Sequence, residues 1–194
     1  MSPGAYVASF AVGLVLVIVL FLVITAYNDV MALQRRIDKA WANIEVILKQ
    51  RHDQLPALVA AVKGLMAFEQ DVLTEVTRAR AAYAPTDTIP HQAATSDQTS
   101  SAVRSLLVTV ERYPDIKAAG NVADLQAEIE RIEGMLADRR ELYNDQVYRY
   151  DTRIAQVPTS WLAAVFRWRP RAYFRADPGD AERPDTSLTT DGPA

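Results

Sequence analysis

Apolar positions along this chain first run together and then fall into helical stripes. From Val7 to Ala26 there are 20 residues without a charge, 14 of them Leu, Ile, Val or Phe. As a helix this run would be about 30 Å long, the thickness of a bilayer's hydrocarbon core. Transfer of so many large apolar side chains favours insertion by several kcal/mol. The run predicts a transmembrane helix. The competing reading is a secretory signal peptide cleaved after Ile24-Thr25-Ala26. It lacks a basic leading segment, because Met1 to Tyr6 carry no Lys or Arg, and the apolar run is too long for it.

Beyond the run the pattern turns amphipathic. Val30, Leu33, Ile37, Ala40, Ile44 and Ile47 follow spacings of 3 and 4, a near-heptad, coiled-coil-like stripe that Trp41 and Leu48 widen. Nothing between Ala26 and Val30 breaks a helix, so the first helix is predicted to leave the membrane uninterrupted and reach about Arg51. Asp53 suits an N-cap and Pro56 a first helical turn, which predicts a tight reversal at 52–56. A proline kink in one continuous helix is the alternative. A second helix over 54–83 would carry Leu55, Leu58, Val59, Val62, Leu65, Met66, Val72, Leu73, Val76 and Ala79. Glu69 falls on that stripe, where a snorkelling or Arg-paired carboxylate fits better than a ligand.

Residues 84–101 hold Pro85, Pro90 and many Ser, Thr, Asp and Gln, and predict a long mobile connection. A third helix carries Val103, Leu106, Leu107 and Val110 to about Arg112, where Tyr113-Pro114 ends it. After a short connection over 115–120, Asn121 suits the N-cap of a fourth helix reaching Val157. Its stripe is Leu125, Ile129, Ile132, Leu136, Tyr143, Val147, Tyr150 and Ile154, with a gap at Arg139 and Arg140. Tyr143, Tyr148 and Tyr150 read as core and edge packing, and Pro158 stops the helix.

The fold expected is all-α: a transmembrane helix continuing into an antiparallel up-down-up-down four-helix bundle over 27–157. The parity of four helices returns the chain to the bilayer after Pro158. Segment 158–175 there interleaves Trp161, Phe166, Trp168, Tyr173 and Phe174 with Arg167, Arg169, Arg171 and Arg175. Aromatic rings with arginines suit the headgroup zone, and these nine residues are the candidate membrane interface. Packing on the bundle and binding of an acidic protein remain alternatives. Residues 176–194, rich in Asp, Pro, Thr and Gly, predict a disordered tail.

Composition narrows the function. A net charge of −3 argues against a nucleic-acid binder. With no cysteine there is neither a thiolate metal site nor a thiol nucleophile. Basic residues Arg35, Arg36, Lys39, Lys49 and Arg51 follow the apolar run and none precedes it, which predicts residues 1–6 outside and the bundle in the cytoplasm. Neither His52 nor His91 lies three residues after a Glu, as a di-iron bundle would need, and no phosphate-cradling or His-Glu-x-x-His motif occurs. No cofactor or metal is expected. The leading expectation is a non-enzymatic, membrane-anchored interaction or assembly module with the lipid bilayer and an envelope protein as partners. A metal-dependent enzyme using Glu69, Glu133 and His52, and a self-associating scaffold or sensor, are the alternatives.

An ordered series of blocks carries a resemblance. They are Tyr27-Asn28, Ala40-Trp41-Ala42-Asn43-Ile44, Asp53 with Pro56, Leu58-Val59 and Val62-Lys63-Gly64, then Glu69 and Ala79-Arg80. Glu111-Arg112-Tyr113-Pro114-Asp115-Ile116-Lys117-Ala118, Leu125-Gln126, Arg140 with Tyr143-Asn144, Pro158 and the end from Phe166 to Phe174 complete it. Over about Tyr27 to Phe174 the chain resembles LemA family proteins. The resemblance implies a single-pass membrane protein with a helical bundle and no established catalytic activity, and it hints at membrane proteases or other envelope proteins as neighbours. The chain departs from the family pattern at Ile132-Glu133-Gly134, usually Thr-Glu-Asn, at Tyr150-Asp151, usually Tyr-Asn, and at Phe166-Arg167, usually Phe-Gly.

Overall fold

A computed structural model describes residues 3–63, 70–113 and 120–175. Those residues form five helices and no strand: α1 (Pro3–Lys63), α2 (Gln70–Ala81), α3 (Ile89–Glu111), α4 (Gly120–Ala155) and α5 (Thr159–Phe166). The all-helical expectation holds, and so does the continuity of the apolar run with the helix that follows it. Every residue from Ser9 to Leu22 is exposed, and burial begins where the amphipathic stripe begins, with Ala26 and Val30. Of the described helices, one is long and apolar enough to cross a membrane, which is compatible with an N-terminal anchor.

The predicted reversal at 52–56 does not occur. α1 continues through Pro56 to Lys63, and Leu55, Leu58 and Val62 extend its buried stripe. Proline inside a helix removes one donor and leaves the carbonyl four residues earlier without its bond. That carbonyl belongs to His52, and the Arg80 Nε donates to it at 3.2 Å. The expected second helix is therefore divided. Its first residues belong to α1 and its last to α2, while Leu65, Met66 and Glu69 lie outside the described residues.

The mobile connection expected over 84–101 is also corrected. Only a short turn separates α2 from α3, which begins at Ile89 with Pro90 in its first turn, where a missing N–H costs little. Gln92, Thr95, Ser96 and Thr99 are all buried and in helical register with Ala102, Val103 and Leu106. Gln92 and Thr99 donate to carbonyls close in sequence, while Gln92 Oε1 is buried without a hydrogen-bond partner among the described residues. The Gln92 amide donates to the carbonyls of Pro85 and Asp87 at 3.2 and 3.0 Å, and the Thr99 hydroxyl to that of Thr95 at 2.9 Å. α4 starts at Gly120, one residue before the cap proposed at Asn121. Pro114, the connection at 115–119 and the tail 176–194 lie outside the described residues.

The chain forms two compact units that share α1 and α4. The first takes Met1–Val46 with Leu136–Tyr173, and the second takes Ile47–Met135 and the described residues from Phe174. In the first, Asp29 meets Arg153 at 2.8 Å, Gln34 meets Tyr150 at 3.2 Å, and the Trp41 and Tyr143 rings meet edge-on at 5.6 Å. Partner numbers fall as α1 numbers rise, so the two helices run antiparallel there. In the second, four helical segments share one core: Leu55, Leu58 and Val62 of α1, Leu73 and Val76 of α2, Val103, Leu106 and Val110 of α3, and Val122 and Ile129 of α4. The α4 stripe is in place: Ile129, Ile132, Leu136, Tyr143, Val147, Tyr150 and Ile154 are buried, whereas Tyr148 is exposed.

Candidate functional site

The aromatic and basic segment lies beside the end of the apolar run. Tyr27, the first residue past that run, packs its ring edge-on to Phe166 at 5.2 Å and tilted to Trp168 at 5.8 Å. Phe166 and Trp168 stack at 5.3 Å. α5 can turn back on itself because Arg167 adopts the left-handed conformation at φ 56°, and the Trp168 amide then reaches over to the Ala163 carbonyl at 3.0 Å. That six-to-one bond closes the helix end in the Schellman manner.

Three contacts pin the chain after α5. The Tyr143 hydroxyl donates to the Ala172 carbonyl at 2.8 Å. The Arg171 amide donates to Asp151 Oδ1 at 3.1 Å, and the Arg171 guanidinium lies 3.8 Å from Asp38. Burial pushes the Tyr143 phenol up to about 12, with Asp38 and Asp151 adding to the shift and Arg171 opposing it. Burial also raises Asp151, and the Arg171 amide opposes that.

The nine candidate interface residues separate by exposure. Trp161 is 69% exposed, Phe166 46%, and Arg167, Arg169, Arg171 and Arg175 are exposed. Trp168 and Tyr173 are half-buried. Phe174 is fully buried, so it packs in the protein and offers no surface to lipid. Within α5, Trp161 and Val165 share a face four residues apart, and Val165 is 74% exposed.

A second polar centre was not picked out from sequence. Arg51 is nearly completely buried, and its guanidinium donates to Glu133 Oε1 at 3.0 Å, to the Ser100 hydroxyl at 2.9 Å and to the Ser96 hydroxyl at 3.0 Å. The Ser100 hydroxyl donates to the other Glu133 oxygen at 2.6 Å. The signal was present in the register: Arg51 stands four residues after Ile47 and four before Leu55, on the apolar stripe. Two of its partners were hidden in the supposed connection. A cavity of about 10 Å³ beside Arg51, Gln92 and Ser96 is too small for an organic ligand.

Among the described residues this arrangement has the form of a hydrogen-bonded ion pair. Both Glu133 oxygens are engaged, His52 faces the Tyr83 ring at 5.3 Å, and Glu69 lies outside the described residues. Among the described residues no group of three His, Asp or Glu side chains gathers around a common point. On the solvent-facing side of α4, Arg131 holds Glu128 below the ordinary carboxylate range by a side-chain hydrogen bond, which has the form of a solvated ion pair.

Magnetosome proteins MamQ 1 and MamQ 2 of Paramagnetospirillum magneticum are each 28% identical over 90 residues, 46% of this chain and 32% of theirs. The chain thus spans about a third of the length of these curated relatives. The LemA family model matches residues 40–188, well over half of the sequence. That match covers the Trp41 block, the Arg51 centre and the whole of α5, and the chain belongs to the LemA family.

Proposed function

We propose that this protein is a single-pass, membrane-anchored, non-enzymatic module whose helices form an antiparallel bundle on the cytoplasmic side and whose surface assembles or regulates envelope partners. The observation that carries this reading is α1. One unbroken helix presents apolar side chains outward from Phe10 to Leu22 and then buries Ala26, Val30, Ile37 and Ile44 in the folded protein. An anchor joined through continuous helix holds a domain at a set height above a bilayer, which suits presentation of a surface more than release of a diffusing product. The charge asymmetry, with Arg35, Arg36 and Lys39 after the apolar run, supports the orientation. The magnetosome proteins that resemble the chain support a role in a cellular structure, and no substrate is suggested by them.

Crosslinking in intact cells followed by mass spectrometry tests the reading. A reproducible set of membrane or envelope partners is the expected result. Recovery of nothing beyond a random sample of neighbours removes the assembly role. Protease access from each side of sealed vesicles tests the orientation, with cleavage near Lys63 expected from the cytoplasmic side alone.

A further inference from the structure

We infer that α5 and its arginine cap form a second membrane contact, a shallow interfacial wedge that lies in the headgroup boundary of the leaflet where α1 emerges and takes anionic phospholipid. The inference rests on the reading of α1 as the anchor and adds a lipid-binding site to it. Four observations within one compact unit carry it.

The first is position. Phe166 and Trp168 pack on Tyr27, one residue beyond the apolar run, so the C-terminal end of α5 stands at the level where the run ends. The second is surface. Thr159 to Phe166 contains no charge, and its Trp161 and Val165 face is 69% and 74% exposed. A helix with that face in water would be left with an uncovered apolar patch, and the bilayer boundary is the nearest apolar phase.

The third is charge. Arg167 and Arg169 are exposed and form no ion pair among the described residues, whereas Arg171 is drawn toward Asp38. Two such guanidiniums flanking Trp168 match a phosphate at the headgroup level. The fourth is backbone. Arg167 is the one non-glycine residue with positive φ among the described residues. An L-residue there is strained, and glycine would close the same turn without strain. A side chain carried at a strained position points to use of its guanidinium.

The chain has no cysteine, so a single introduced thiol reports one place. Full-length Val165→Cys, Val15→Cys and Val108→Cys proteins would each carry a nitroxide in vesicles of phosphatidylcholine with about one part in four phosphatidylglycerol. Collision with oxygen, which favours lipid, is compared with collision with a water-soluble nickel chelate. At position 165 the ratio should exceed that at 108 several-fold and fall short of that at 15. Adding Arg167→Gln and Arg169→Gln should move position 165 toward water in these vesicles. In pure phosphatidylcholine the same pair should have little effect.

A label at 165 that behaves like the one at 108 overturns the wedge, and so does one shielded from both reagents by protein. Equal immersion with and without the two arginines overturns the anionic site. A label at 15 in water would instead sink the anchor reading itself, so the two failures are told apart.

Discussion

Arg80 donates from Nε to the carbonyl oxygen of His52 at 3.2 Å, the acceptor left open by Pro56 four residues on. This bond accounts for the passage of α1 through a proline. An unmade buried backbone bond costs about 1–3 kcal/mol, and the guanidinium recovers part of that. The two sites should therefore be coupled. Arg80→Ala alone should destabilise by about 1–2 kcal/mol. In a Pro56→Ala background, where residue 56 has its own N–H, the same change should cost about 1 kcal/mol less. Chemical denaturation of the four proteins of this cycle in detergent measures the difference, and simple additivity would show that Arg80 acts elsewhere.

The buried Arg51–Glu133 pair gives an asymmetric expectation. Removing Glu133 leaves the guanidinium with Ser96 and Ser100 but without an opposite charge. Glu133→Ala should cost about 2–4 kcal/mol, below the full value for a buried pair because Glu133 keeps 25% of its side chain in solvent. Replacing both residues by apolar ones, Arg51→Met with Glu133→Leu, should recover most of that loss. Thermal unfolding of the single and double variants checks the order. Iron or manganese retained stoichiometrically by the unsubstituted protein would contradict the structural role given to Glu133.

Tyr143 sets an alkaline limit. Its phenol is held up to about 12 in the folded protein against an ordinary value of 10.0. Below pH 10 both folded and unfolded chains keep the proton, and the contribution is fully present. Between pH 10 and 12 the unfolded chain releases its proton first, and stability falls by about 2–3 kcal/mol. Tyr143→Phe should lose about 1 kcal/mol at neutral pH, from the missing bond to Ala172, and should then show a shallower decline above pH 10. Denaturation midpoints of both proteins across that range provide the test. Parallel declines would place the alkaline sensitivity on other tyrosines.

What the residues revealed follows from how burial is written in them. Where the buried face is apolar, as along Val30 to Ile47 and Ile129 to Ile154, period and burial agree and the helices are legible. Where it is built from Gln92, Thr95, Ser96 and Thr99, the pattern reads as a loop, because such residues look solvent-exposed until the fold supplies partners such as the Pro85 carbonyl for Gln92 and the Arg51 guanidinium for Ser96. Pro56 misled for a related reason: its local cost is met by Arg80, 28 positions along the chain from His52. The candidate interface was legible as a list of aromatic and basic residues. Phe174 could not be separated from Phe166 by residue type, since the two differ only in what covers them.

Arg167 offers a test in which two expected effects have opposite signs. Its backbone is held at φ 56° while the Trp168 amide bonds to Ala163. Glycine adopts that conformation without the clash of Cβ against the following carbonyl, a relief of about 1 kcal/mol that greater freedom of the unfolded chain reduces. Arg167→Gly should therefore tighten the end of α5, and the Trp168 amide should exchange its hydrogen more slowly by up to about fivefold. Arg167→Ala keeps the Cβ and should bring no such slowing. Both changes remove the guanidinium, and both should draw the Val165 label toward water in anionic vesicles. A residue that served only the turn would give a tighter helix end and an unchanged or deeper label in the glycine variant. The combination expected here, a firmer cap with a shallower wedge, requires that the strain be kept for contact with a headgroup.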